Sequence, residues 1–121
     1  MNKSISKDDC LYSICRFPLL YAESGLTPKE IVEYCRYEKY RDEISIDDIV
    51  KELKKDMKLI DSWLLFTDDK RWTPAWGIKK EKGSYTIFYV FRNGKTEIEQ
   101  SFSSEYEACA RLVRMEMEGL L

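Results

Sequence analysis

Asp68 and Asp69 are adjacent carboxylates, and such a pair could in principle hold a hard cation or serve as acid and base. No third ligand follows at a recognisable spacing, and no glycine-rich phosphate loop accompanies them. The pair therefore reads as turn chemistry, in which an aspartate bonds its own backbone. The four cysteines, Cys10, Cys15, Cys35 and Cys109, lie among apolar neighbours at helical spacing. With no C-x-x-C pair and no histidine, a zinc site is disfavoured, and the expectation is buried, reduced thiols. The missing histidine also removes the usual general base near neutral pH and the Ser–His and Cys–His nucleophile pairs. The expectation is a protein that is not an enzyme, with no catalytic residue, cofactor or metal.

Binding chemistry is better represented. All three tryptophans, Trp63, Trp72 and Trp76, fall in the stretch WLLFTDDKRWTPAWG, which also carries the charge run Asp68-Asp69-Lys70-Arg71. Tryptophan and arginine supply the stiff contact surface typical of interface hot spots. Trp63 and Trp76 occupy expected strand positions and should pack in the core. Asp68, Asp69, Arg71 and Trp72 fall in the loop joining those strands, and are the first candidates for partner binding. Tyr34, Tyr37 and Tyr40 interleave with Arg36, Lys39 and Arg41, a pattern that can stack and neutralise nucleic acid. Here Glu33, Glu38, Asp42 and Glu43 cancel that charge, so a solvated helix end with inward tyrosines is expected.

At 121 residues the chain suits one domain, 1–121, with 44% apolar and 35% charged residues. The net charge of -2 argues against general affinity for DNA, RNA or an anionic membrane. The opening MNKSISKDDC turns acidic before any apolar run, so no signal peptide is expected, and no segment is long enough to span a bilayer. The expected location is the cytoplasm.

Helix starts are marked by Ser6/Asp9, Thr27/Glu30, Ser45/Asp48 and Ser104/Glu107, a hydroxyl with an acidic residue three positions later. The Glu pairs match the reciprocal capping box most closely. Three helices are expected before the sheet. The first runs from about Lys7 to Arg16–Phe17, with Pro18 kinking it or opening a new turn that ends near Gly25. The second turns Ile31, Val32 and Cys35 inward. The third turns Ile46, Ile49, Val50, Leu53 and Met57 inward and leaves Asp47, Asp48, Lys51, Glu52, Lys54, Lys55 and Asp56 on a solvated face. Segments 62–66, 75–80, 85–92 and 95–102 then read as strands, and a last helix runs from Glu105 to about Glu118. The expected class is α+β: three N-terminal helices, a four-stranded antiparallel meander (helical 1–60, sheet and closing helix 61–121) and one C-terminal helix.

Asn93-Gly94 signals a two-residue type I′ hairpin, with Lys82-Gly83-Ser84 as an earlier turn. That loop would pair Tyr89 with Ile98, Ile87 with Gln100 and Tyr85 with Phe102. Tyr85, Ile87, Tyr89, Phe91, Ile98 and Phe102 would then share a core face. Phe88 and Val90 would lie on the other side beside Glu97 and Glu99, an amphipathic patch that either a helix covers or a partner does.

Three helices and a hairpin also invite a winged helix-turn-helix, with residues 45–57 reading the major groove. Asp47 and Asp48 would lead that helix into phosphates, and the usual turn glycine is absent. The DNA-binding regulator is the alternative.

The segments WLLFTDDKRWTPAWGI, SYTIFYVFRNGKTEIEQSF and SSEYEACARLVRMEME resemble small bacterial immunity proteins of polymorphic toxin systems, including those of contact-dependent inhibition. The shared elements are a Trp-containing meander with a short hairpin and an F-x-S-x-x-E-A-C entry, Phe102–Cys109, into the closing helix. The resemblance covers the C-terminal half, and 1–59 does not share it. It implies a cytoplasmic binder that neutralises a cognate toxin domain, and it carries over no functional residue. Many toxin domains are basic nucleases, so an acidic patch of Asp68, Asp69, Glu97 and Glu99 would suit such a partner.

Overall fold

The helix starts are built locally. In the computed structural model, which describes residues 5–68, 75–81, 83–90 and 95–121, every expected cap forms. The Asp9 amide donates to Ser6 Oγ (3.1 Å) and the Ser6 amide to Asp9 Oδ2 (3.1 Å), which opens α1, Lys7–Cys15. Pro18 starts α2, Phe17–Ser24, and Gly25 closes it in the left-handed region at φ 74°. Thr27 and Glu30 box α3, Pro28–Tyr34, and Ser45 and Asp48 box α5, Ile46–Lys54. Between them lies the single turn α4, Tyr37–Tyr40. Asp caps therefore close the reciprocal box as well as Glu does. At Ser104, which opens α7, Glu105–Gly119, the recorded cap is the Glu107 amide donating to the serine hydroxyl at 3.4 Å.

Two expectations about the architecture are corrected. Six helices, not three, precede the sheet among the described residues, and the meander has three strands, not four. The turn expected from Pro18 to near Gly25 is a separate helix, and the left-handed Arg36 (φ 60°) separates α4 from α3. The expected strand at 62–66 is part of helix α6, Lys58–Asp68. A short apolar run fits either a strand or a buried helix, and tertiary packing decided for the helix. Leu59, Ile60 and Trp63 are buried at helical spacing, and the Lys58 amide donates to Asp56 Oδ1 (3.0 Å) at the helix start.

β1, Ala75–Glu81, pairs antiparallel with β2, Ser84–Val90, which pairs antiparallel with β3, Thr96–Phe102. Gly83, at φ 70°, supplies the left-handed turn between the first two. The expected pairs Tyr85–Phe102 and Ile87–Gln100 form, but Tyr89 faces Glu97 rather than Ile98. The register shifts between Ile87 and Phe88, where β3 carries one extra residue, Glu99. This bulge puts Ile98 level with Phe88 in the ladder instead of Tyr89. Asn93-Gly94 and Phe91 lie outside the described residues.

Helix α7 packs across all three strands and against α5, α1 and α6, while α6 packs on β1. One apolar cluster joins the helical and sheet halves: Ile14, Phe17, Ile49, Leu53, Trp63, Ile78, Ile87, Leu112 and Val113 belong to it. Trp63 sits at its aromatic centre, 5.8 Å from Phe17 in a stacked arrangement and edge-on to Phe66. Its indole N–H donates to the Cys15 carbonyl (2.8 Å), one of the orphan acceptors at the end of α1.

Two departures concern α5. Met57 is 76% exposed, because the helix ends at Lys54 before reaching it. Glu52, assigned to the solvated face, is buried: Arg16 Nη1 reaches its Oε2 at 2.9 Å, and Lys55 Nζ its Oε1 at 3.2 Å. Burial of the carboxylate is possible because two cations and hydrogen bonds meet it there.

Candidate partner-binding surface

The sheet offers its two faces to different surroundings. Ile78, Ile87 and Phe102 face the core with α7, whereas Phe88 is half-buried on the opposite side. Gly77 lies across from Phe88 in the ladder, and a Cβ built there would come within 2.5 Å of the ring Cζ. The ring thus lies over the glycine, filling the space a side chain at 77 would need. Thr86 and Ser101, partners on this same face, share a hydroxyl hydrogen bond of 3.1 Å. The side of the sheet bearing Phe88 is thereby knit across its strands.

Three residues meet at one end of the sheet. Trp76 begins β1, its partner Tyr89 ends β2, and Glu97 begins β3 opposite Tyr89. The Trp76 and Tyr89 rings meet edge-on at 4.8 Å. Trp76 also packs against the core, as expected, and Glu97 is exposed. α6 ends at Asp68 and β1 starts at Ala75, so the chain leaves and re-enters described structure on either side of 69–74. Asp69, Arg71 and Trp72 lie outside the described residues, as do the side chains of Asp68 and Glu99. Of the expected site residues, Phe88 and Glu97 have described side chains. The expected grouping of Glu97 with Phe88 on one side is corrected: the bulge at Glu99 aligns Glu97 with Tyr89, on the face of Trp76 and opposite Phe88.

The candidates for chemistry take structural places. The four cysteines are buried and unbridged. Burial pushes the Cys10 thiol up to about 12, with nearby Cys35 adding to it. Burial likewise raises Cys35 to about 11, against a hydrogen bond from Ser13, and raises Cys15 and Cys109 still further. These thiols stay protonated near neutral pH. No group of His, Cys, Asp or Glu that could hold a metal ion is found among the described residues, nor is any helix long and apolar enough to cross a membrane.

At α5 the leading amides are closed by the Ser45/Asp48 box, and Asp48 also meets Lys7 at 3.6 Å. Lys54 stands over the Tyr106 ring at 5.4 Å, and Lys55 is bound to Glu52. The tyrosine–basic stretch is divided: Tyr37 is buried, Tyr40 donates to the Ile5 carbonyl (2.7 Å), and Tyr34 is 57% exposed instead of packing inward. Burial, assisted by the Glu118 carboxylate, pushes the Tyr37 hydroxyl up to about 12. Arg114 of α7 donates to that hydroxyl (3.2 Å) and to the carbonyls of Arg41 (2.9 Å) and Ile44, and Arg41 pairs with Glu118. This clasp holds the α4 turn on α7.

Sequence reasoning missed one concavity. A groove of about 970 Å³ lies among α3, α4, the Ile5–Ser6 entry and the chain's last leucines. Its apolar lining includes Val32 and Leu120, and its charges, Lys29, Glu33, Arg36 and Lys39, are of both signs. The only local signal was charge interleaved with tyrosine, because the groove forms from segments far apart in sequence. Compared with known proteins, the chain matches no protein-family model, no curated protein and no solved structure.

Proposed function

We propose that this protein is a non-enzymatic immunity protein that binds and neutralises a cognate bacterial toxin domain in the cytoplasm. The observation that carries it is the Phe88 side of the sheet. A half-buried aromatic ring lies there over Gly77, and on the other face exposed Glu97 stands level with Tyr89 at the end of the sheet where β1 begins. A partner of basic character that grips this end of the sheet would meet the aromatic on one face and the carboxylate on the other, the ring contributing contact area and the charge steering encounter. The resemblance of the C-terminal half adds the kind of partner. Asp68, Asp69, Arg71, Trp72 and Glu99 are the further partner-binding candidates that the sequence nominates.

Co-expression with the toxin-like product of a neighbouring gene tests it. A stable complex and relief of growth arrest support the proposal; neither complex nor protection overturns it. Retardation of duplex DNA at low salt would point to the winged-helix alternative.

A further inference from the structure

The corner where α5 gives way to α6 carries four lysines in eight residues, Lys51, Lys54, Lys55 and Lys58, all of them exposed. Lys51, Lys54 and Lys55 share one side of the end of α5, because positions three and four apart adjoin on a helix. Lys58 opens α6, and between the two helices stands Met57, exposed at 76%.

This positive charge is not answered inside the fold. Glu52 is buried between Arg16 (2.9 Å) and Lys55 (3.2 Å), so one negative charge meets two positive ones, and the Lys55 side chain stays 69% exposed. Asp56 is half-buried and accepts the Lys58 amide. Lys54 stands over the neutral ring of Tyr106 at 5.4 Å. Neither Lys51 nor Lys58 joins an ion pair among the described residues. Cations in the last turn of α5 favour the negative end of that helix, which accounts for Lys54 and Lys55. The same rule works against Lys58, at the positive end of α6, and nothing in it leaves Met57 in water.

Charge and size together select the occupant. Exposed Asp47 lies one turn before Lys51, and exposed Asp61 one turn after Lys58, so carboxylates border the cations at both ends. A duplex or a membrane surface would extend past these borders and meet repulsion there. A short acidic segment fits between them, and an apolar side chain on it would cover Met57, whose flexible thioether adapts to varied partners. We propose that the α5–α6 corner docks a short acidic segment of a partner protein, the four lysines meeting its carboxylates and Met57 an apolar side chain beside them. α5 packs against α7, whereas Phe88 lies on the side of the sheet away from α7, so the proposal does not depend on the toxin assignment.

The test uses the full chain, labelled with nitrogen-15, and the capped heptapeptide Glu-Asp-Phe-Glu-Glu-Leu-Asp as probe. A second peptide carries lysine at every acidic position. The expected result is amide shift changes concentrated at residues 51–58, shrinking as salt screens the charges. Lys51→Glu combined with Lys58→Glu is expected to weaken binding about tenfold, and Met57→Ser about threefold. All three side chains are exposed, and an unchanged spectrum away from the corner verifies that each variant is folded. Absence of shifts up to millimolar peptide, equal binding of the lysine peptide, equal affinity of the double variant, or shifts confined to another surface would overturn the proposal. Binding to duplex DNA or to phosphatidylserine vesicles in place of the peptide, lost in the double variant, would also overturn it, by making an extended polyanion the occupant.

Discussion

The Phe88 ring stands where a side chain at Gly77 would have to be, with a Cβ at 77 falling 2.5 Å from Cζ. The two residues are ladder partners on the outer face of the sheet, so the glycine sets how deeply the aromatic lies. That relationship makes the face adjustable without disturbing the core beneath Ile78 and Ile87.

Gly77→Ala should therefore displace the ring outward rather than break the fold. The colliding atoms belong to a half-exposed side chain that can rotate, so the expected loss is about 1 kcal/mol, at the low end for overpacking. Urea unfolding measures the cost, and partner affinity should fall by more than the stability change explains.

Arg36 holds a left-handed backbone at φ 60° between α3 and α4, where glycine is the usual residue. Arg36→Gly should raise stability by about 1 kcal/mol, since a non-glycine residue in that region costs about 1–2 kcal/mol and glycine's greater unfolded freedom offsets part of the gain. A higher urea midpoint with unchanged slope would verify it.

Trp63 is both core filler and cap for the end of α1. Trp63→Phe keeps an aromatic in place but leaves the buried Cys15 carbonyl without its donor. The lost bond should cost about 1–3 kcal/mol, with the cavity adding to it. Chemical denaturation of this variant beside Cys15→Ala, which keeps the carbonyl, separates the backbone bond from side-chain packing.

The cysteines give a prediction about reactivity and alkaline stability. Their pKa values are raised by burial, so the folded state holds the thiol protons more tightly than the unfolded chain does. That contribution is complete below the ordinary thiol value of 9.0 and is lost as pH rises above it toward the folded values. A disulfide reagent should label the native chain slowly and the denatured chain at all four cysteines. Denaturation midpoints should fall on the alkaline side.

The capping carboxylates act in acid with the opposite sign. Hydrogen bonds from the backbone amides of Thr27 and Ser45 hold Glu30 and Asp48 below their ordinary values of 4.5 and 3.8. Their contribution is present above those values and is lost as pH falls through the lowered ones. Glu30→Gln and Asp48→Asn together should flatten the acid branch of the stability profile, measured by urea midpoints.

What the sequence made legible was local. Ser6, Thr27, Ser45 and Ser104 were readable as caps because a cap needs only a few consecutive residues, and the inward face of α3 followed from spacing. Trp63 shows the limit: its apolar neighbours suit a strand as well as a helix, and only contact with Phe17 and Cys15 decides. The pairing of Arg16 with Glu52 joins residues 36 apart, which no periodicity reveals. The bulge at Glu99 shifts the register so that Glu97 pairs with Tyr89 and parts from the Phe88 side, which the alternation of residues alone does not reveal.

The most direct measurement is the affinity of the purified cognate toxin domain for the wild-type chain and for Phe88→Ala and Glu97→Lys. The account predicts a stable wild-type complex that both substitutions weaken while leaving the unfolding midpoint nearly unchanged, with Phe88→Ala slowing growth rescue in cells. No complex with the wild type, or equal affinity for all three chains, would contradict it.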